Sequence, residues 1–310
     1  MSKNKEMVKL DAQETIFFLK ELESVKSKTY DKKYPELKMR SLIPISNEAG
    51  PGANTIKYFQ YDMVGVAKII ESYAKDFPRV NVRKKEFRSP VKSLGDSYGY
   101  SIQDIREAQM TGASLEQREA NAARRAMLQK EDEIAAFGDA ETGLLGLFNH
   151  PNIPETVLPA DGAGSSKLWA DKTPDQIIRD LNLIANSIVE TTNGVEVPNT
   201  ILLPIEKYTF IASTPRSNDS DTTILDFFLK SNPFIQNVDH YYKLKGAGAS
   251  ATDRMFCYKR DPDAVTLEIP VDFEQFSPQE EGMEFVVYCH QRIGGVIMYY
   301  PLSASFADGL

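Results

Sequence analysis

The sequence predicts an α+β fold, and three observations carry that expectation. Residues 115–137 hold many good helix formers and no Gly or Pro. Residues 174–192 repeat apolar side chains at helical spacing. β-Branched and aromatic residues concentrate at 54–63, at 80–94 and through 265–300, the pattern of strands.

Composition sets the frame for those elements. The chain has 310 residues, 42% hydrophobic and 26% charged, enough apolar material for a core of two domains or one large one. A disordered chain, a collagen and a disulfide scaffold are excluded. The net charge of −8 argues against a dedicated nucleic-acid binder. Basic residues are in excess over 1–100 and acidic ones over 101–310. That split reads either as two solvated surfaces or as parts of the chain that attract other copies. Two cysteines, Cys257 and Cys289, fit a reducing cytoplasm. Met1–Leu10 lacks the apolar segment of a secretory signal, and no apolar run approaches 18 residues, so no transmembrane helix is expected.

Taken in order, residues 11–28 read as a short amphipathic helix, with Asp11 and Glu14 at capping-box spacing. Residues 29–53 lose periodicity and read as an arm or functional loop. Residues 54–63 and 80–94 read as two long strands flanking a turn or short helix at 64–78. A two-stranded ribbon is marginal alone and needs a surface to lie on. Ser101 and Asp104 open a short helix at 102–110. Ser114 and Gln117 cap the long helix at 115–137, whose stripe is Leu115, Ala122, Ala126, Ile134 and Phe137, and Gly138 stops it. In 174–192, Thr173 caps, Pro174 takes the first position, Gln176 completes a capping box and Gly194 ends the helix. A strand at 200–203, helices at 205–212 and 223–230, and strands near 234–242 and 255–260 complete an α+β block. Val265, Leu267, Ile269, Val271 and Phe273 alternate as one half-buried strand, and Gly294-Gly295 reads as a two-residue hairpin turn between 283–293 and 296–300.

No catalytic, cofactor-binding or metal-ligating residue emerges. His150, His240 and His290 lack zinc-ligand spacing, and Cys289 and His290, as strand neighbours, point to opposite faces. The loops 246–250 and 162–166 lack the ending of a phosphate-binding loop. Asp219 and Asp221 read as a solvated turn, and Glu131/Glu133 and Glu280/Glu281 as a solvated helix face and a turn. Arg124 and Arg125 read either as a solvated face or as an ion pair across a subunit boundary.

The order of parts, together with Ser101-Ile102-Gln103-Asp104-Ile105-Arg106, Ala123-Arg124-Arg125-Ala126 and Gly143-Leu144-Leu145-Gly146-Leu147-Phe148-Asn149-His150-Pro151, resembles the major capsid proteins of tailed phages, of the Hong Kong ninety-seven type, in their encapsulin-like subgroup. The resemblance implies an N-terminal arm over 1–45, an E-loop over 46–98, a peripheral domain over 99–165 with a long spine helix, an axial domain over 166–261, and peripheral strands over 262–310. It implies a non-enzymatic protein without cofactors that self-assembles as hexamers and pentamers into an icosahedral head around double-stranded DNA. It further implies scaffold, portal or decoration partners, no membrane, a place in the virion and assembly in the host cytoplasm. With no long scaffolding region ahead of the arm, the resemblance implies either a separate scaffold protein or the removal of none. Some relatives crosslink through a Lys–Asn isopeptide bond; Lys57, Lys68 and Lys75 lie in the E-loop, but the sequence places neither the partner Asn nor the assisting Glu, so it carries no expectation about crosslinking. The alternatives are an encapsulin-type nanocompartment shell and an enzyme holding phosphate at 246–250.

Overall fold

The computed structural model describes residues 35–64, 81–111, 115–217 and 221–310. The expected helix at 11–28, the ribbon tip, the Ser114 cap, Asp219, Lys68 and Lys75 lie outside the described residues.

The segment after Leu37 has more structure than its irregular sequence suggests. A single helical turn, α1 (Met39–Leu42), buries Met39 and Leu42, and a short strand, β1 (Ile45–Ser46), follows. Next come β2 (Thr55–Val64) and β3 (Asn81–Pro90), the two long extended segments. They pair antiparallel, from Thr55↔Pro90 to Val64↔Asn81, and form a separate two-stranded sheet. The chain then crosses Val91 into β4 (Lys92–Ser101), so the stretch expected as one strand divides between a ribbon and a larger sheet.

Helix α2 (Ile102–Thr111) precedes α3 (Leu115–Phe137), a rod of roughly 35 Å at ~1.5 Å per residue. The buried face of α3 follows the expected stripe only at its C-terminal end, where Ile134 is buried and Phe137 half-buried against the core. Ala122 and Ala126 are exposed, while Ala123, Met127 and Ala135 are buried. The face is chosen by what it packs on: Ala123 and Met127 cluster with Cys289, Leu94, Tyr98 and Phe273 of the neighbouring sheet. A thin Ala-rich stripe carries too little apolar contrast to fix that rotation by itself.

The Gly143–Pro151 stretch closes the end of α3. The last carbonyls of a helix have no partner within it. Here Ile134 accepts from the N–H of Gly138, Ala135 from Leu147 and Ala136 from Phe148, while the Asn149 amide donates to Phe137. Gly138 takes φ +70, and Gly146 lies so close that a Cβ there would be 2.3 Å from the Gly138 nitrogen.

The remaining elements are α4 (Pro174–Thr191), β5 (Thr200–Leu203), α5 (Ile205–Ser213), α6 (Ile224–Ser231), β6 (Asn237–His240), β7 (Arg254–Tyr258), β8 (Val265–Glu268), β9 (Val271–Gln275), β10 (Gln279–Glu281), β11 (Glu284–Ile293), β12 (Gly295–Met298) and β13 (Ala304–Asp308). The expected capping box of α4 is present, with Thr173 accepting from the Gln176 N–H. One sheet runs β13-β7-β5-β6. Alternation along its strands sends Ile201, Leu203, Met255 and Cys257 towards Ile184, Trp169 and Phe228, and sends Leu202, Phe256 and Tyr258 towards Phe148 and Tyr241. Both faces are buried, so β5 has no exposed residue.

Two C-terminal expectations are corrected. Val265–Phe273 is two strands, and β8 is buried on both faces, with Thr266 bonding Glu268 inside. Gly294-Gly295 is not a hairpin turn. β11 pairs with β4, β9 and β10, whereas β12 pairs with β8. The glycines are there for close approach: a side chain at 294 would strike Ile56 and Glu268, and Gly295, at φ +70, abuts the Leu145 backbone. The two-residue turn lies instead at Gly282-Met283, between β10 and β11, with Gly282 at φ +72.

Candidate assembly surfaces

Directly opposed residues of an antiparallel pair share a face. One face of the ribbon carries Ile56, Ser89, Tyr58 and Phe87, and it meets the body of the chain. Ser89 donates to the Gly294 carbonyl at 3.1 Å, Tyr58 stacks on Phe87, and Tyr58 meets Tyr299 edge to face. Burial first, then Tyr299, raises the Tyr58 hydroxyl above its ordinary pKa.

The other face carries Lys57, Arg88, Phe59, Glu86, Tyr61 and Lys84, and all six are exposed. Phe59 and Tyr61 are 44% and 59% exposed, more than aromatic rings retain in a finished core. The Lys84 ammonium stands 3.5 Å from the centre of the Phe59 ring, a cation–π contact. Arg88 at 2.7 Å and Lys57 at 3.9 Å share Glu86, and Arg88 holds that carboxyl below its ordinary range. Between the middle of β2 and the body lies a groove of about 750 Å³, lined in part by Tyr58, Tyr61, Tyr299, Tyr300, Glu48 and Asp263.

A second arrangement pins the segment around α1 to α3. Glu131 is 2% exposed, which corrects its expected place on a solvated face. Arg40 donates to it through two nitrogens and bonds Asp272 as well, and Gln291 donates to Glu131. Asp132 accepts from the Met39 N–H and the Tyr241 hydroxyl. Every partner is remote in sequence, so helical periodicity gives no sign of them. Glu133 is exposed, as expected, beside Lys130.

The other singled-out residues stay apart. His150, His240 and His290 do not meet, and no group of three His, Cys, Asp or Glu side chains suits a metal among the described residues. His240 lies near Lys38 and Asp239, and His290 near Glu274. Cys257 and Cys289 are both buried, which raises both thiols. In the 162–166 and 246–250 loops, Gly162 bonds Ser166, Gly246 bonds Asp253 and Ala249 bonds Asp308, so these N–H groups are turned onto the chain itself. Arg124 lies over the Phe273 ring of its own chain. Glu280 and Glu281 lie on β10. No described helix is long and apolar enough to cross a membrane.

Solved structures repeat this architecture. The capsid of Myoviridae phage XM1 superposes with a TM-score of 0.80 at 18% identity, covering 94% of this chain and 98% of that one. The capsid of an empty GTA particle gives 0.64 at 10% identity, covering 96% and 97%. Mycobacterium phage Bobi gives 0.63 at 13% identity, covering 97% and 99%. No curated protein matches in sequence. The family model described as major capsid protein matches residues 65–310. With that match over most of its length and its fold shared by phage capsids, the chain belongs to the major capsid protein family.

Proposed function

We propose that many copies of the chain close, as hexamers and pentamers, into an icosahedral phage head around double-stranded DNA. One observation carries the reading beyond family membership. The ribbon is a twenty-residue sheet of two strands that leaves aromatic and cationic side chains in solvent. Isolated ribbons are marginal, so such an element gains its stability on another surface, here a neighbouring copy. Repetition around a shell then turns weak contacts into an avid one.

Residues 1–45 act as the arm and 46–98 as the E-loop; 99–165 and 262–310 make the peripheral domain, and 166–261 the axial domain. The apolar cluster shared by α4, α5, α6 and the sheet around β5 supports the axial unit, and the packing of α3 on β4 and β11 supports the peripheral one. The role is structural rather than catalytic. DNA is confined without sequence-specific contacts, and scaffold, portal or decoration proteins join during assembly in the host cytoplasm before the protein resides in the virion. The family match favours this reading over a nanocompartment shell.

Electron microscopy of the purified protein, with and without co-expressed phage proteins, tests it. Rings or shells are expected, and they are expected to weaken as salt rises. Monomers alone under every condition would contradict the proposal.

A further inference from the structure

We propose that His240 is an acid-responsive latch on the segment around α1: a second proton on its ring takes Asp239 from Lys38 and frees that end of the segment, while the Arg40 end stays closed. The latch goes beyond the shell reading and does not depend on it.

Polar contacts tie this short segment to separate parts of the body. Arg40 is held by Glu131 of α3 and Asp272 of β9, and the Met39 N–H donates to Asp132. The Tyr258 hydroxyl of β7 donates to the Leu42 carbonyl at 2.6 Å. At the other end the Lys38 ammonium donates to Asp239 Oδ1 at 3.0 Å and to His240 Nε2 at 3.2 Å, both on β6.

The two ends answer differently to acid. A guanidinium stays charged throughout, and Glu131 raises the Arg40 pKa further. An ammonium can only donate, so Nε2 is the accepting nitrogen of a neutral imidazole and the ring proton lies on Nδ1. That Nδ1 is buried, makes no hydrogen bond, and stands 3.3 Å from the same Asp239 oxygen that Lys38 uses. The side chain as a whole is 34% exposed, so a proton reaches it from water.

Once Nε2 takes that proton it has no lone pair for Lys38, and two cations compete for one carboxylate. His240 holds the better position. It neighbours Asp239 on the same strand, and its backbone N–H already donates to the shared oxygen at 2.7 Å. Lys38 must instead keep a long, flexible side chain ordered. Tyr208 of α5 lies against the imidazole with ring centres 5.2 Å apart, Leu203 of β5 pairs with it, and Lys243 is turned onto Asp132. The charged groups in contact with the ring are thus Lys38 and Asp239.

Residue-resolved amide exchange in the full, unassembled chain tests the latch, with each rate divided by the intrinsic rate at that pH. The N–H groups of Ser41 and Leu42 are the reporters, since both donate to the Lys38 carbonyl, and the Met39 N–H on Asp132 is the control. Protection at Ser41 and Leu42 is expected to fall about fivefold or more between about pH 7.5 and about pH 5.5, with Met39 unchanged. His240→Gln, which still accepts but cannot take the proton, is expected to stay protected at both pH values, and Lys38→Met to be poorly protected at both. Equal wild-type protection at the two pH values overturns the latch, and so does a matching fall at Met39. A fall of wild-type size in His240→Gln overturns it too, as does one in Lys38→Met, which decides the matter even if the glutamine variant folds poorly.

Discussion

The ribbon β2–β3 and the strand pair β5–β7 are both antiparallel, both rich in β-branched and aromatic residues, and opposite in fate. Every residue of β5 is buried, between Ile184 and Phe228 on one side and Phe148 and Tyr241 on the other. β3 is exposed at its first six residues. β Propensity therefore marks extended chain in both places, and what differs is who supplies the second layer. The α4–α6 helices supply it for β5. For the exposed face of the ribbon the described chain supplies only the rim of a groove at Phe59 and Tyr61, and in the proposed shell a neighbouring copy covers the rest.

That contrast can be broken deliberately. The largest effect is expected in the covered pair: Phe228→Ala removes a fully buried ring and should cost about 3–5 kcal/mol in denaturant unfolding of the unassembled chain. The same truncation in the ribbon, Tyr61→Ala, should stay within about 0.5 kcal/mol there and weaken assembly instead. Equal losses in the two experiments would erase the distinction.

Next comes the clasp between α1 and α3. Glu131→Ala leaves Arg40 with Asp272 alone and the Gln291 amide without its acceptor, so a loss of about 2 kcal/mol is expected, with Glu131→Gln milder. The clasp belongs to the body of the chain and not to the ribbon, so this loss should appear in unassembled protein by thermal or denaturant melting.

Smaller again is Thr173→Ala, which removes one half of the α4 capping box and should cost about 1 kcal/mol. Near neutrality the smallest effect is pH itself. Arg40 holds Asp272 below its ordinary range, and Arg179 does the same for Asp161. At Asp308 burial acts upward, but Arg254 and the Ala249 N–H outweigh it and the net shift is down. Carboxyls lowered by folding contribute stability that is present above the unfolded value near 3.9 and lost as pH falls through the folded values. Melting temperature is thus expected to be insensitive to these groups from pH 8 to about 5 and to fall below about pH 4. A steep loss near pH 6 would point to other groups.

The same division between local chemistry and remote partners separates what was legible in sequence from what was not. Thr173, Pro174 and Gln176 mark the start of α4, Gly138 marks the end of α3, and the β-branched and aromatic residues at 54–63 mark β2; each signal is local. What depends on partners remote in the chain was hidden. Glu131 reads as a solvated charge until Arg40 and Gln291 arrive from other segments. Gly294-Gly295 reads as a turn because a sequence shows that glycine is small, and not whether the room is needed by a turn or by Ile56, Glu268 and Leu145. The rotation of α3 was missed for the same reason, since Leu94, Cys289 and Phe273 decide which alanines are covered. The ribbon was legible as a ribbon, and its need for a surface followed from its having only two strands.

If the ribbon completes its packing on another copy while the α4–β5 core completes its own, assembly should protect one and leave the other unchanged. Amide hydrogen exchange, followed peptide by peptide in unassembled and assembled protein, reads this difference most directly. Residues 55–64 and 81–90 are expected to slow by about tenfold or more on assembly, while 200–203 and 255–258 are equally protected in both states. Ribbon amides that exchange at the same rate before and after shells form would contradict it.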